Sequence, residues 1–173
     1  MSAPAILLVD DEPVVLQAMA RTLSRRGHRV RTADSAAAAR RILQEDEVAV
    51  LISDQRLGSP DPDGVDLLTQ VRQRWPLVER VLLTGFADIP SMERAINEAG
   101  VSRFLSKPWE DVDLCATVSS AVEQWESRVE NRHLLAQLAG SGAEVSQNLL
   151  AQLHVDRNAR AFEAQGFEQV CMH

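Results

Sequence analysis

The chain is 173 residues long, 45% hydrophobic and 25% charged, with a formal net charge of −7. That length holds one domain of ordinary size plus an appendage, and the hydrophobic share supports a real core, which excludes disorder throughout. The acidic balance argues against a nucleic-acid or anionic-membrane surface, which would need clustered Lys and Arg.

Other broad classes fall away on local grounds. The two cysteines, Cys115 and Cys171, share no metal-ligand or redox spacing and suit a reducing cytoplasm. The amino terminus lacks the basic start of a signal peptide, and its apolar run stops at Asp10. No stretch approaches the roughly 20 apolar residues of a membrane helix. The expectation is a cytoplasmic protein with no membrane and no nucleic-acid partner.

In chain order, Ala5–Val9 is an apolar strand that runs into Asp10-Asp11. Pro13 opens a helix, where its missing N–H costs nothing. Val14, Leu16, Met19, Ala20 and Leu23 are placed on its inner face, and Gly27 stops it. Residues 28–32 alternate as an edge strand with Val30 inward, and Ser35 opens an alanine-rich helix to about Gln44. Val48–Asp54 holds five consecutive apolar residues, as in a strand buried on both faces, and ends in a carboxylate. After the turn-forming loop 58–64, a helix carries Val65, Leu67, Leu68 and Val71 to Trp75. A fourth strand, 80–84, ends in Thr84. A helix capped by Asp88 follows, with Met92, Ala95, Ile96 and Ala99 as its inner stripe and Gly100 as its stop. The fifth strand, 103–107, reaches Lys107-Pro108-Trp109.

Strand and helix thus alternate five times, which predicts an α/β fold with a doubly wound five-stranded parallel sheet. A last helix begins near Glu110 and shows no stop signal before Gly140, so its second half is expected to project. Val118, Val122, Trp125 and Val129 follow the 4-3-4 spacing of a coiled-coil seam, which suits either intramolecular core or a dimer contact. Leu134, Leu135 and Leu138 sit on a shifted stripe. The capping-box pattern Ser141 to Glu144 suggests a second amphipathic helix, making a helical hairpin. The expected divisions are a domain over 1–124, an extension over 125–139, and a helix with a loose tail over 140–173.

The chemistry gathers at the carboxyl ends of the strands, where open α/β sheets place their ligands. Asp10, Asp11, Asp54, Thr84 and Lys107 all occupy that position. Three carboxylates forced together repel unless a cation joins them. An oxygen-rich, sparse ligand set suits Mg²⁺. With the metal present, one carboxylate can attack phosphorus. Lys107 supplies a cation and Thr84 a donor, which is most of what phosphoryl transfer asks of a protein.

Together these residues resemble the receiver domain of two-component response regulators, the CheY-like family, over residues 5–124. The resemblance implies a flavodoxin-like strand order of 2-1-3-4-5. It implies Asp54 as the phosphoacceptor, with a sensor histidine kinase or phosphotransfer protein as the donor. Asp10, Asp11 and Asp54, with the backbone carbonyl of Arg56, would hold Mg²⁺. Thr84 and Lys107 would grip the phosphoryl group, Phe104 would be the aromatic switch, and Lys107-Pro108 a cis peptide. Arg56 and Phe86 would flank the path of a hydrolytic water and tune phosphate lifetime, Phe86 by its bulk slowing the loss.

Ser53-Asp54-Gln55-Arg56-Leu57, the run from Leu83 to Asp88, and Lys107-Pro108-Trp109 are similar to a narrower subgroup. Its receivers are joined to HD-GYP cyclic-di-GMP phosphodiesterases or hydrogenase-type transcription activators. The chain departs from the family after Asp54, where Leu57 to Gly64 is two residues longer than the usual Met-Pro-x-Met-Asp-Gly. The resemblance implies a phosphoacceptor signalling module rather than an enzyme, switching a C-terminal helical output or homodimerisation element. The alternative is a regulatory fragment of a longer enzyme such as a cyclic-di-GMP phosphodiesterase. A self-contained phosphatase is disfavoured, because Asp54-Gln55-Arg56 lacks the Asp-x-Asp pair of haloacid-dehalogenase chemistry.

Overall fold

A computed structural model describes residues 3–58, 63–85 and 89–168, with side-chain surroundings given for these except 89–91 and 140–168. Within them the chain alternates β1 (Ala5–Val9), α1 (Pro13–Arg25), β2 (Arg29–Ala33), α2 (Ala36–Glu45) and β3 (Val48–Asp54). It continues with α3 (Gly64–Arg74), β4 (Glu79–Thr84), α4 (Ile89–Asn97), β5 (Arg103–Ser106) and α5 (Asp111–Glu168). The five strands form one sheet in the order β2-β1-β3-β4-β5, and every neighbouring pair is parallel.

Strand alternation sorts the core into two layers. Leu7, Val9, Leu51 and Leu82 join a cluster with the apolar faces of α2, α3 and α4. Ile6, Leu8, Val50, Ile52, Val81 and Leu83 turn the other way, onto α1 and α5. The β1–β3 register shifts between Ala5 and Ile6, whose partners are Val48 and Val50, so Ala49 is an extra residue. As a result Ala49 and Val50 both join the α1 and α5 layer, which simple alternation does not predict.

Helix ends follow the local chemistry. Ser35 Oγ accepts from the Ala38 N–H at the start of α2, and Asp63 accepts from Val65 and Asp66 at the start of α3. Gly27 and Gly100, the two expected helix stops, have φ of +87° and +59°, a region that costs other residues energy. The Asp88 cap, and most of the lengthened loop after Gly58, lie outside the described residues.

Two inner-face assignments need correction. Val14 is 77% exposed and Ile96 52%. Two residues along a helix turn by about 200°, so Val14 stands opposite Leu16, and its neighbour Val15 packs instead. Ile96 lies about 100° from the buried Ala95, at the margin of a narrow stripe.

The C-terminal helix differs most. The backbone runs as one helix, Asp111–Glu168, through Gly140, so the expected hairpin is not formed. A glycine inside a helix costs only roughly 0.5–1 kcal/mol relative to alanine, and Ala136, Ala139 and Ala143 beside it are strong helix formers. A serine that caps must leave helical geometry, which Ser141 does not do.

The chain divides into two compact units, Met1–Val129 and Glu130–His173. In the first, Leu114, Val118, Ala121 and Trp125 are buried on the sheet with Val122 and Val129 partly buried beside them. The coiled-coil-like seam is therefore sheet-facing core, and it carries the packed unit past residue 124 to Val129. In the second, Leu134, Leu135 and Leu138 are exposed. No helix among the described residues is long and apolar enough to cross a membrane.

Candidate functional site

The acidic residues are delivered by strand ends because each strand is apolar until it leaves the sheet. β1 ends at Val9, and Asp10 continues it with its N–H donated to Ala33 O at 3.2 Å. β3 ends in Asp54, and Gln55 N–H donates to Leu83 O at 2.9 Å. Lys107 N–H donates to Thr84 O at 2.8 Å, which brings the end of β5 against the end of β4. The Lys107-Pro108 peptide is cis.

Asp10, Asp11 and Asp54 can each place a carboxylate oxygen within 4.8 Å of the others. Asp10 is fully buried, Asp54 nearly so, and Asp11 exposed. Lys107 Nζ stands 2.8 Å from Asp10 Oδ2 and 3.3 Å from Asp54 Oδ2. The other oxygen of Asp10 accepts from Glu12 N–H at 2.8 Å. An open pocket of about 560 Å³ covers the group, lined by Asp11, Glu12, Asp54, Gln55, Arg56, Gly85 and Lys107.

Electrostatics follow from this arrangement. Burial pushes the Asp54 carboxyl above its ordinary range; the Lys107 ammonium pulls it down, and the Asp10 charge pushes it up again. Burial lowers Lys107, but its hydrogen bond to Asp10 and the charges of Asp54 and Asp10 outweigh that, leaving its pKa raised. Three clustered carboxylates with one ammonium leave an excess of anionic oxygen. This donor set fits a hard divalent cation such as Mg²⁺, which accepts few protein ligands and keeps its waters.

The structure therefore gathers Asp10, Asp11, Asp54 and Lys107 at one pocket, with Arg56 on its wall. Thr84 is close by but buried, and its hydroxyl donates to Gln55 Oε1 at 2.8 Å. Phe104 is half-buried against the α2, α3 and α4 layer. It also helps line a cleft with Pro108, Trp109 and Thr117. Phe86 lies outside the described residues.

Sequence reasoning passed over two residues. Glu12 lines the pocket and reaches to 3.8 Å from Lys107 Nζ. Gln55 was read only as part of a short run. The available signal was a polar side chain directly after the last acid of a fully buried strand, where burial demands a hydrogen-bond partner.

The chain matches the sequence profile of the response regulator receiver domain over residues 6–119. It is 35% identical over 158 residues to the hydrogenase transcriptional regulatory protein HoxA of Cupriavidus necator, covering 91% of this chain and 32% of that protein. It is 34% identical over 134 residues to the C4-dicarboxylate transport transcriptional regulatory protein DctD of Pseudomonas aeruginosa, covering 78% of this chain and 28% of DctD. Among solved structures, the signal receiver domain of an HD domain-containing protein from Pseudomonas fluorescens Pf-5 superposes with a TM-score of 0.70 at 38% identity. That match covers 73% of this chain and 92% of the Pf-5 domain. The chain spans about a third of the length of these curated relatives.

Proposed function

This chain belongs to the response-regulator receiver domain family, and from that premise we propose that it accepts a phosphoryl group on Asp54 and thereby switches its C-terminal helix. The observation that carries the reading is the position of Asp54. It lies at the floor of an open pocket, 3.3 Å from the Lys107 ammonium and within 4.8 Å of two further carboxylates.

The donor is a phosphohistidine on a sensor kinase or a phosphotransfer protein. An Asp54 oxygen bonds to phosphorus as the P–N bond to imidazole breaks, and the leaving imidazole takes up a proton. Asp10, Asp11, Asp54 and the Arg56 carbonyl would hold Mg²⁺, which would supply positive charge to offset that of the transferring group. Lys107 lies where it can shift from Asp10 to a phosphoryl oxygen as a point charge. Thr84 supplies a hydroxyl donor, Phe104 responds as the switch, and Arg56 and Phe86 tune how long the acyl phosphate survives. The chemistry stops at self-phosphorylation and its reversal, so the module signals rather than turning over a substrate. Its setting is the cytoplasm.

The output lies with α5. Its first turns are rooted in the packed core through Leu114, Val118 and Trp125, and its exposed Leu134, Leu135 and Leu138 suit contact with a second copy. Phosphorylation replaces the single carboxylate charge of Asp54 with a phosphoryl group of about −1.5 to −2 charges beside the strand ends and biases that contact. A second reading keeps the receiver but changes what it controls. The likeness to the receiver of an HD domain-containing protein favours a regulatory fragment of a longer enzyme such as a cyclic-di-GMP phosphodiesterase.

The test is incubation with acetyl phosphate and Mg²⁺, read by intact mass and light scattering. Wild type gains one phosphoryl group and changes its association; Asp54→Ala does neither. A phosphoryl group that persists in Asp54→Ala, or never appears in wild type, overturns the assignment.

A further inference from the structure

We propose that Gln55 is a positioning residue that holds the Thr84 hydroxyl back from the acceptor pocket until Asp54 is modified. The inference rests on the reading of Asp54 as phosphoacceptor and deepens it.

The Thr84 hydroxyl donates to Gln55 Oε1 at 2.8 Å, and both residues are buried. A hydroxyl carries one proton and donates to one acceptor at a time. While it serves Gln55 it does not serve a phosphoryl oxygen. Gln55 itself lines the pocket, beside Asp54, Gly85 and Lys107.

Both backbones are fixed. Gln55 N–H donates to Leu83 O and Gln55 O accepts from Gly64 N–H, each at 2.9 Å. Thr84 O accepts from Lys107 N–H at 2.8 Å. The hydroxyl therefore reaches the pocket by side-chain rotation, and that rotation breaks the bond to Gln55. A buried bond that must break before the active arrangement forms biases the protein toward the resting one. Gln55 sits directly after Asp54, so the latch lies one peptide from the group that releases it.

The experiment titrates beryllofluoride, a tetrahedral anion that bonds a carboxylate oxygen, with Mg²⁺ and follows bound fluoride by ¹⁹F NMR. Wild type, Gln55→Leu, Thr84→Val and the double variant are compared. Gln55→Leu is expected to bind about 2- to 10-fold more tightly, the worth of one net hydrogen bond. In the Thr84→Val background the same replacement should change nothing, because no hydroxyl remains to be latched. A purely structural role for Gln55 would give the same effect in both backgrounds, and that result overturns the proposal, as does unchanged or weaker binding by Gln55→Leu. Mg²⁺ binding in the absence of beryllofluoride checks that the pocket is folded; if Gln55→Leu loses it, Gln55→Met takes its place. Failure of wild type to bind beryllofluoride sinks the phosphoacceptor reading itself, a result distinct from a failed cycle.

Discussion

Replacing Gly64 by alanine should damage both the fold and the pocket, because the position has no room for a Cβ. An ideal Cβ there would lie 1.8 Å from the backbone oxygen of Asp54, 2.8 Å from its carbonyl carbon and 2.9 Å from Ser53 Oγ. Ordinary contact begins near 3.4 Å, so the shortfall against the oxygen is about 1.6 Å, far beyond what a close-packed interior absorbs. The two nearest obstructing atoms are backbone at the end of a central strand, and Gly64 N–H is itself bonded to Gln55 O at 2.9 Å. Relief means pulling the first turn of α3 away from β3. We expect a loss of about 3 kcal/mol, the upper part of the usual overpacking range, and a fall in Tm of about 12 °C for a unit of this size. Circular dichroism melting reads the first effect. Mg²⁺ titration reads the second, since Asp54 moves with its carbonyl. Gly85→Ala is the control: among the described residues nothing lies within 4 Å of its added Cβ, and its Tm should stay within about 2 °C. A Gly64→Ala protein that melts and binds Mg²⁺ like wild type would refute the reasoning.

Two further outcomes test the electrostatics and the core. Lys107→Met removes the cation that pulls the Asp54 pKa down, so carboxyl ¹³C NMR should show Asp54 titrating still higher than in wild type; an unchanged or lower value contradicts the arrangement. The sign in wild type follows from burial. A carboxyl raised above its unfolded value of 3.8 binds more protons folded than unfolded just above that pH. Its contribution to stability therefore falls as pH rises through that window, and Mg²⁺ affinity should fall as acid protonates the group. Trp125→Ala should cost about 3–5 kcal/mol in urea unfolding, because Trp125 is buried among Leu114, Val118 and Ala121. A midpoint that does not move would place α5 off the sheet.

Sequence reading and structure part company for identifiable reasons. β1 and β3 are continuous apolar runs that end in acids, and their bounds, Ala5–Val9 and Val48–Asp54, are those expected. Val14 stands in solvent because it lies opposite Leu16 on the helix, and Ile96 because the buried stripe of α4 is too narrow to include it. The 4-3-4 seam of α5 was ambiguous because a helix facing a sheet and a helix facing another helix bury the same periodicity. The sheet claims it here. Gly140 has the look of a stop, yet glycine weakens a helix without ending it, and α5 runs on through both Gly140 and Gly142. At the site, the acids and the lysine announced themselves by residue type. The bond between Thr84 and Gln55 joins two residues 29 positions apart and left no trace in spacing.

Residue order by itself determined the parallel α/β architecture and the identity of the charged groups at the strand ends, because alternation, apolar runs and terminal acids are local features that each segment carries alone. Only the tertiary structure decided which partner each polar group takes. It seated Lys107 between Asp10 and Asp54, turned Thr84 toward Gln55 and pressed Gly64 against the Asp54 carbonyl. Those choices depend on distances between strands that meet across the sheet, and burial, by stripping water from the carboxylates, gives the distances their energetic weight.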